Sequence, residues 1–462
     1  MALLDTTIVN VALPTIRVSL DASESTLSWI ISGYALAFGL ALIPAGRVGD
    51  RVGHKWVFFS GLALFTAASF TCGLAQTDNE LIISRVVQGL AGGIFVPAVT
   101  AMIQLLFPPQ VRGKAFAIMG SVIGVSTALG PIVGGLIIQA FGDENGWRLV
   151  FWVNIPIGVA ALIAAAILLP KGSEGHAKSG IDWFGLLLIS AGLIALLVPL
   201  IEGQDKGWPL WTFLTLAAAV LLIVAFGAWE VGYANRGKNA LVPPRLFRHP
   251  AFSGGVVLSL VYFASFTGIF FTISLLWQAG LGHTALESGF VSIPFAIGSI
   301  IGASQSNRLS QRLGRAVLVL GTSLVTIGLI WVWLVFLFTD AVNLTNWELL
   351  PPLFVAGLGS GFFIAPNAQF IVATVDRADA GAASAVIGVM QRIGSAIGIA
   401  VIGSVLFGTL PARITGPADL ATSFVHSAAA AMLVSVCLSV VAFVLVFMLP
   451  KQASAGGPPV SH

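Results

Sequence analysis

Apolar runs of roughly 20 residues recur from one end of this chain to the other, and few folds can accommodate them. Their approximate limits are 1–16, 26–46, 57–76, 81–107, 115–141, 149–169, 184–201, 211–232, 252–280, 286–306, 316–338, 350–373, 383–407 and 426–449. About 20 apolar residues in a helix cross the hydrocarbon layer of a bilayer. In lipid every backbone polar group must be satisfied within the segment, which a helix does. A soluble core is excluded by composition: 57% of residues are hydrophobic and 9% charged, against about 25% charged in soluble proteins. The pattern predicts an all-α integral membrane fold of fourteen transmembrane helices, the first of them short.

Basic residues orient the spans, because Lys and Arg concentrate in cytoplasmic connections. Only Arg17, Arg148, Lys206 and Arg413 fall in connections on the side opposite the N-terminus, and Arg85 and Arg392 lie inside spans. All other Lys and Arg residues fall on the N-terminal side, so both termini are expected in the cytoplasm. The longer connections on that side, 170–183 and 233–250, bracket spans 7 and 8. The expected organisation is therefore a six-helix bundle over 1–170, two inserted helices over 171–250, a second six-helix bundle over 251–450 and a cytoplasmic tail over 451–462.

An internal repeat relates the two bundles. GRVGDRVGH (46–54) aligns without gaps to NRLSQRLGR (307–315), matching Arg47 to Arg308 and Arg51 to Arg312, with Gln311 in place of Asp50. At one shared offset, Gly89, Gly93, Gly113, Gly120 and Gly130 match Gly357, Gly361, Gly381, Gly388 and Gly398.

Several chemistries have no residues to carry them. The six histidines lie in or beside polar connections without metal-ligand spacing, and Cys72 and Cys437 sit in apolar runs. No catalytic cluster, metal site or cofactor is therefore expected. A phosphate-binding loop would need GxxxxGK[ST]; Gly113-Lys114-Ala115 lacks both the first glycine and the hydroxyl. ATP is thus not the expected energy source.

Four stretches carry the remaining signal. In the first, MALLDTTIVNVALP (1–14), Asp5 lies near mid-bilayer, where an acid is costly and marks a functional hypothesis. In the connection GRVGDRVGHK (46–55), Gly46 and Gly53 permit a tight turn, and Asp50, beside Arg51, can pair with a base or sit at a helix N-terminus and so latch that end closed. Span 4 contains RVVQGLAGG (85–93). Arg85 there reads either as a partner for a buried acid or as an arginine reaching the interface. Span 5 contains GSVIGVSTALGPIVGG (120–135). Gly120, Gly124 and Ala128 form one small-residue face, Gly130 and Gly134 another, with Gly135 adjoining, and Pro131 predicts a kink. Arg392 occupies the position in span 13 equivalent to Gly124, too deep to reach water cheaply. Asn10, Gln88, Gln391 and Arg392 are candidate polar groups of a cavity.

These stretches carry a resemblance to the major facilitator superfamily. The Gly-x-x-x-Asp-Arg-x-Gly-x-Lys run at 46–55 resembles its loop 2–3 signature, and the glycine-rich segment of span 5 resembles its antiporter motif. LDTTIVNVALP (4–14), WRLVFWVNIPIG (147–158), DWFG (182–185) and PPRLF (243–247) resemble the fourteen-span drug:proton antiporters along essentially the whole chain. The resemblance implies proton-coupled export of amphipathic, often cationic compounds by alternating access, with Asp5 and Arg85 in proton coupling. It implies small molecules, protons and the bilayer as partners, no nucleic acid, and a functional monomer. Dedicated export of an endogenous metabolite, lipid or self-made antibiotic shares every motif; a channel or membrane enzyme is the remote alternative. Because Asp5 lies only about 14 Å from Pro14 along a helix, residues upstream of Met1 are expected to complete helix 1.

Overall fold

The computed structural model describes residues 1–22, 24–170, 182–203, 206–238, 240–341, 344–373, 375–376, 379–411 and 416–450. They form helices and connections, with no strand among the described residues. The helices of the first repeat are α1 (Ala2–Ser19), α2 (Glu24–Val52), α3 (His54–Leu74), α4 (Asp78–Leu106), α5 (Pro109–Trp152) and α6 (Asn154–Leu168). The inserted pair is α7 (Trp183–Glu202) and α8 (Leu210–Asn235). The second repeat holds α9 (Pro250–Leu275), α10 (Ala285–Val291), α11 (Ile293–Leu313), α12 (Ala316–Phe338), α13 (Asn346–Ala373), α14 (Ala380–Gly408) and α15 (Pro417–Val446). α5 contains span 5 and the start of span 6, while α10 and α11 share span 10. Among the described residues, thirteen helical segments are long and apolar enough to cross a membrane. The fourteenth span is α1, 18 residues long and interrupted by Asp5, Asn10 and Arg17.

The packing repeats as the sequence does. α2 packs on α4, α3 on α4, α1 on α5 and α3 on α6; their counterparts α11 on α13, α12 on α13, α9 on α14 and α12 on α15 do the same. The repeated glycines mark where backbones meet. A Cβ at Gly89 would run into the carbonyl of Tyr34, and one at Gly357 into the carbonyl of Phe295. Across the halves, α5 meets α11 and α14 meets α2. The inserted α7 and α8 pair with each other, and α7 leans on α2 and α14.

One local expectation is corrected. The 46–55 stretch is not an open loop: α2 continues through Val52, and Gly53 alone, with φ 101°, turns the chain into α3. Glycine tolerates that left-handed φ without steric cost. Pro131 itself keeps helical φ/ψ, and the one departure between Pro109 and Trp152 is at Gly142, φ 78°. The break sits where the chain must reverse between spans 5 and 6.

Candidate transport site

The first repeat closes around Asp5, which has no solvent exposure. Arg85 Nη1 on α4 donates to Asp5 Oδ2 at 2.6 Å. Gln88 Nε2, one turn along the same face, and Asn154 Nδ2 from α6 each donate to Oδ1 at 2.9 Å. Gln88 and Asn154 both also donate to Ser69 Oγ on α3, at 2.6 and 3.1 Å. Arg85 is itself held: Nη1 also donates to Gln88 Oε1 at 2.7 Å, and Nε donates to the Ile30 carbonyl on α2 at 3.1 Å. Its guanidinium carbon lies 4.2 Å above the Tyr34 ring. One acid thus joins α1, α4 and α6 directly and α2 and α3 through its partners. All three partners present N–H donors to the two Asp5 oxygens. The interface-reaching alternative for Arg85 is overturned: with 1% exposure it turns inward, because a neutralising acid lies within reach.

The second intramembrane arginine is placed differently. Arg392 on α14 is partly accessible, and its guanidinium carbon lies 4.0 Å above the Phe38 ring of α2. Phe38 and Tyr34 are themselves neighbours, with ring centroids 5.9 Å apart. Gln391, beside Arg392, is also partly accessible. Asn10 lies on α1, but its side chain falls outside the described residues.

At the end of the bundle that carries the 46–55 stretch, the two halves touch. A Cβ at Gly46 would lie 2.5 Å from the Gly381 carbonyl oxygen, so α2 and α14 meet backbone to backbone. Asp50 Oδ1 accepts the Gly381 N–H at 2.9 Å. Asp379, the N-cap residue of α14, makes no side-chain cap bond, so the helix start is capped from the other half. Asp50 also meets His54 Nε2 at 3.1 Å and Arg47 Nη1 at 3.5 Å. Arg47 donates to the Leu241 carbonyl at 2.6 Å and to that of Ala240, and Arg245 pairs with Asp379 at 2.7 Å. Gln104 Nε2 donates to the carbonyls of Val372 and Val375, both at 3.1 Å, tying α4 to the end of α13. Arg51 is corrected out of this contact: it is exposed, because it sits one residue past Asp50 and points off that face. Arg47, three residues before Asp50, shares the face and takes the role.

The glycines of α5 divide between two partners. Gly130 and Gly134 face α1: a Cβ at Gly130 would strike the Thr7 side chain, and one at Gly134 would lie 2.9 Å from Ile8 Cγ1. Gly120, Gly124 and Gly135 face the second repeat, where an added Cβ would lie 3.3 Å from Ala365 Cβ, 2.6 Å from Ser299 Oγ and 3.0 Å from Leu286 Cβ respectively. Pro131 packs against Gly289 at the start of span 10.

A paired acid and base inside one repeat, and two repeats meeting through glycine faces, match a known architecture. The Major Facilitator Superfamily profile matches residues 1–399 and again 255–461. The chain belongs to the major facilitator superfamily. This facilitator is 36% identical over 420 residues to the probable actinorhodin transporter of Streptomyces coelicolor, covering 91% of this chain and 72% of that protein. It is 33% identical over 405 residues to the tetracenomycin C resistance and export protein of Streptomyces glaucescens, covering 87% and 73%. The solved structure of the proton:xylose symporter XylE bound to 6-bromo-6-deoxy-D-glucose shares the fold, with a TM-score of 0.67 at 15% identity, over 98% of this chain and 94% of that one. This facilitator is a multi-pass membrane transporter, not an enzyme.

Sequence reasoning about it missed Asn154 and Ser69 as partners of the acid, and Arg47, His54, Arg245 and Asp379 at the closed end. For Asn154 a signal existed: an amide inside the apolar run of span 6 needs a buried partner.

Proposed function

We propose that this transporter exports antibiotic-like small molecules in exchange for protons, with Asp5 as the exchanged site. The observation that carries this reading is the three-donor enclosure of Asp5. A proton on Asp5 cancels the ion pair with Arg85 and turns one acceptor oxygen into a donor. The bonds from α4 and α6 to α1 then weaken together, so proton occupancy and helix packing are linked. One pH unit offers about 1.4 kcal/mol per proton, and the membrane potential about 2.3 kcal/mol per 100 mV for each charge moved. The substrate class is supported by relatives named for actinorhodin and tetracenomycin C. The basic connections lie at the closed end, which supports a cytoplasmic position for that end and for both termini. No cofactor is required, and a single chain suffices for the mechanism.

The test is accumulation of tetracenomycin C and an antibiotic panel in inside-out vesicles under an imposed proton gradient. Wild type is expected to accumulate a panel member and to lose it on adding an uncoupler. Asp5→Asn is expected to lose gradient-driven accumulation while retaining downhill exchange. Accumulation that ignores both the substitution and the uncoupler refutes proton coupling; no accumulation of any panel member refutes export.

A further inference from the structure

Arg85 and Arg392 both lie inside the membrane-spanning bundle, yet only Arg85 is neutralised. Arg392 stands about 18 Å along α14 from the helix start, in the middle of a span. Among the described residues, it has no acid within ion-pair distance and no hydrogen-bond partner; its guanidinium lies over the Phe38 ring face, and the Tyr34 phenol is in electrostatic reach. A ring face attracts a cation but does not supply a counter-charge. A cation at this depth without a counter-charge is costly, and such residues mark substrate or ion pathways.

The internal repeat sharpens the point. The equivalent of Arg392 is Gly124, and the equivalent of Phe38 is Ser299. In the α5–α11 interface, these equivalents are in direct contact, a Cβ at Gly124 lying 2.6 Å from Ser299 Oγ. The same position in the α2–α14 interface carries the bulkiest cation instead. The stripe on α14 that faces α2 begins at Gly381 in backbone contact with Gly46. It continues with Gly388, whose Cβ would sit 3.2 Å from Leu42, and reaches Arg392 over Phe38. The two helices are therefore closest at the closed end and part toward Arg392, which stands between the halves.

We propose that Arg392 is a substrate-binding residue and that the transported compound is an organic anion, whose carboxylate or comparable acidic group supplies the missing counter-charge. The planar guanidinium suits such a group because it can donate two parallel hydrogen bonds to a carboxylate. Asp5 offers no competing attraction for a cation while Arg85 holds it. The charge left at the interface between the halves is positive, and so the substrate class differs from the cationic compounds that the family resemblance implies. This rests on the reading that the chain exports small molecules.

Binding to purified protein separates the two claims. Three fluorescent probes share one ring system and differ in charge: anthracene-9-carboxylate, anthracene-9-carboxamide and 9-anthracenylmethylammonium. Wild type is expected to bind the carboxylate about tenfold or more tightly than the other two, as a charge-assisted pair predicts. Arg392→Gln is expected to erase that preference while still binding the neutral carboxamide, which shows that the variant is folded. Arg392→Lys is expected to keep a reduced preference, having charge without the fork. Equal binding of carboxylate and carboxamide by wild type overturns the proposal, as does a carboxylate preference that survives Arg392→Gln. If the preference appears but vesicles show no export, the anion site stands and the export reading falls.

Discussion

Asp5 keeps its full set of partners only while it carries a charge, and Arg85 keeps its counter-charge only while Asp5 is there. Removing one member of a buried ion pair leaves the other uncompensated and costs about 3–5 kcal/mol. Arg85→Met is therefore expected to lower the melting temperature sharply in detergent. Asp5→Asn combined with Arg85→Met removes both charges, and is expected to recover more than half of the loss. A double variant no more stable than Arg85→Met alone would mean that the two charges are not energetically coupled. Much of this cluster was legible in the sequence, because an acid and a base inside apolar runs each demand a partner. Gln88 shares the Arg85 face three residues on, as helix geometry requires. Asn154 was not legible as a ligand, since its run lies 149 residues away and only the packing of α6 on α3 brings it to Ser69 and Asp5.

α5 presents two faces whose substitutions should separate stability from turnover. Gly130 lies against Thr7 and Ile8, two and three residues past Asp5. Side-chain atoms added there push α1 off its seat, and overpacking typically costs about 1–3 kcal/mol. Gly130→Val is expected to lower the melting temperature. Gly124 faces Ser299 across the boundary between the halves, where a hydroxyl is the nearest atom. Gly124→Ala is expected to leave the melting temperature within a few degrees of wild type while slowing transport at least severalfold. Equal loss of stability in both variants would show that the two faces serve one packing role. The small-residue series of span 5 were readable as close-approach faces, but their partners were not, since spacing gives a face and not what lies against it. At Pro131 the φ/ψ stay helical although proline removes one backbone donor, and the residue is seated against Gly289.

At the scale of the whole molecule, the two halves match in packing and differ in chemistry. The contacts of α1, α2, α3 and α4 recur in α9, α11, α12 and α13, which the repeated glycines foretold. The acid, the ion-paired arginine and Asp50 belong to the first half alone; the unpaired Arg392 belongs to the second. Asp50 has no counterpart because Gln311 stands at its equivalent position. One half therefore caps a helix of the other through its carboxylate, and the reciprocal contact of Gly113 with Asn307 is uncharged. This makes the cap at Gly381 a switchable part of the closed end. A helix cap contributes about 0.5–2 kcal/mol, and 1–2 kcal/mol changes a two-state population by about 5–30-fold. Ala385, buried against Gly46 beside the cap, is a position at which opening can be read. With Ala385→Cys as reporter in nanodiscs, where both faces are reachable, Asp50→Ala is expected to raise maleimide labelling several-fold or more. Asp50→Asn keeps an acceptor but loses the charge at the helix start, and is expected to fall between the two. Unchanged labelling in Asp50→Ala would mean that the glycine contact and the Gln104 bonds close this end without the cap. In that case proton binding at Asp5 would have to act through α5 and its contact with α11, not through α2.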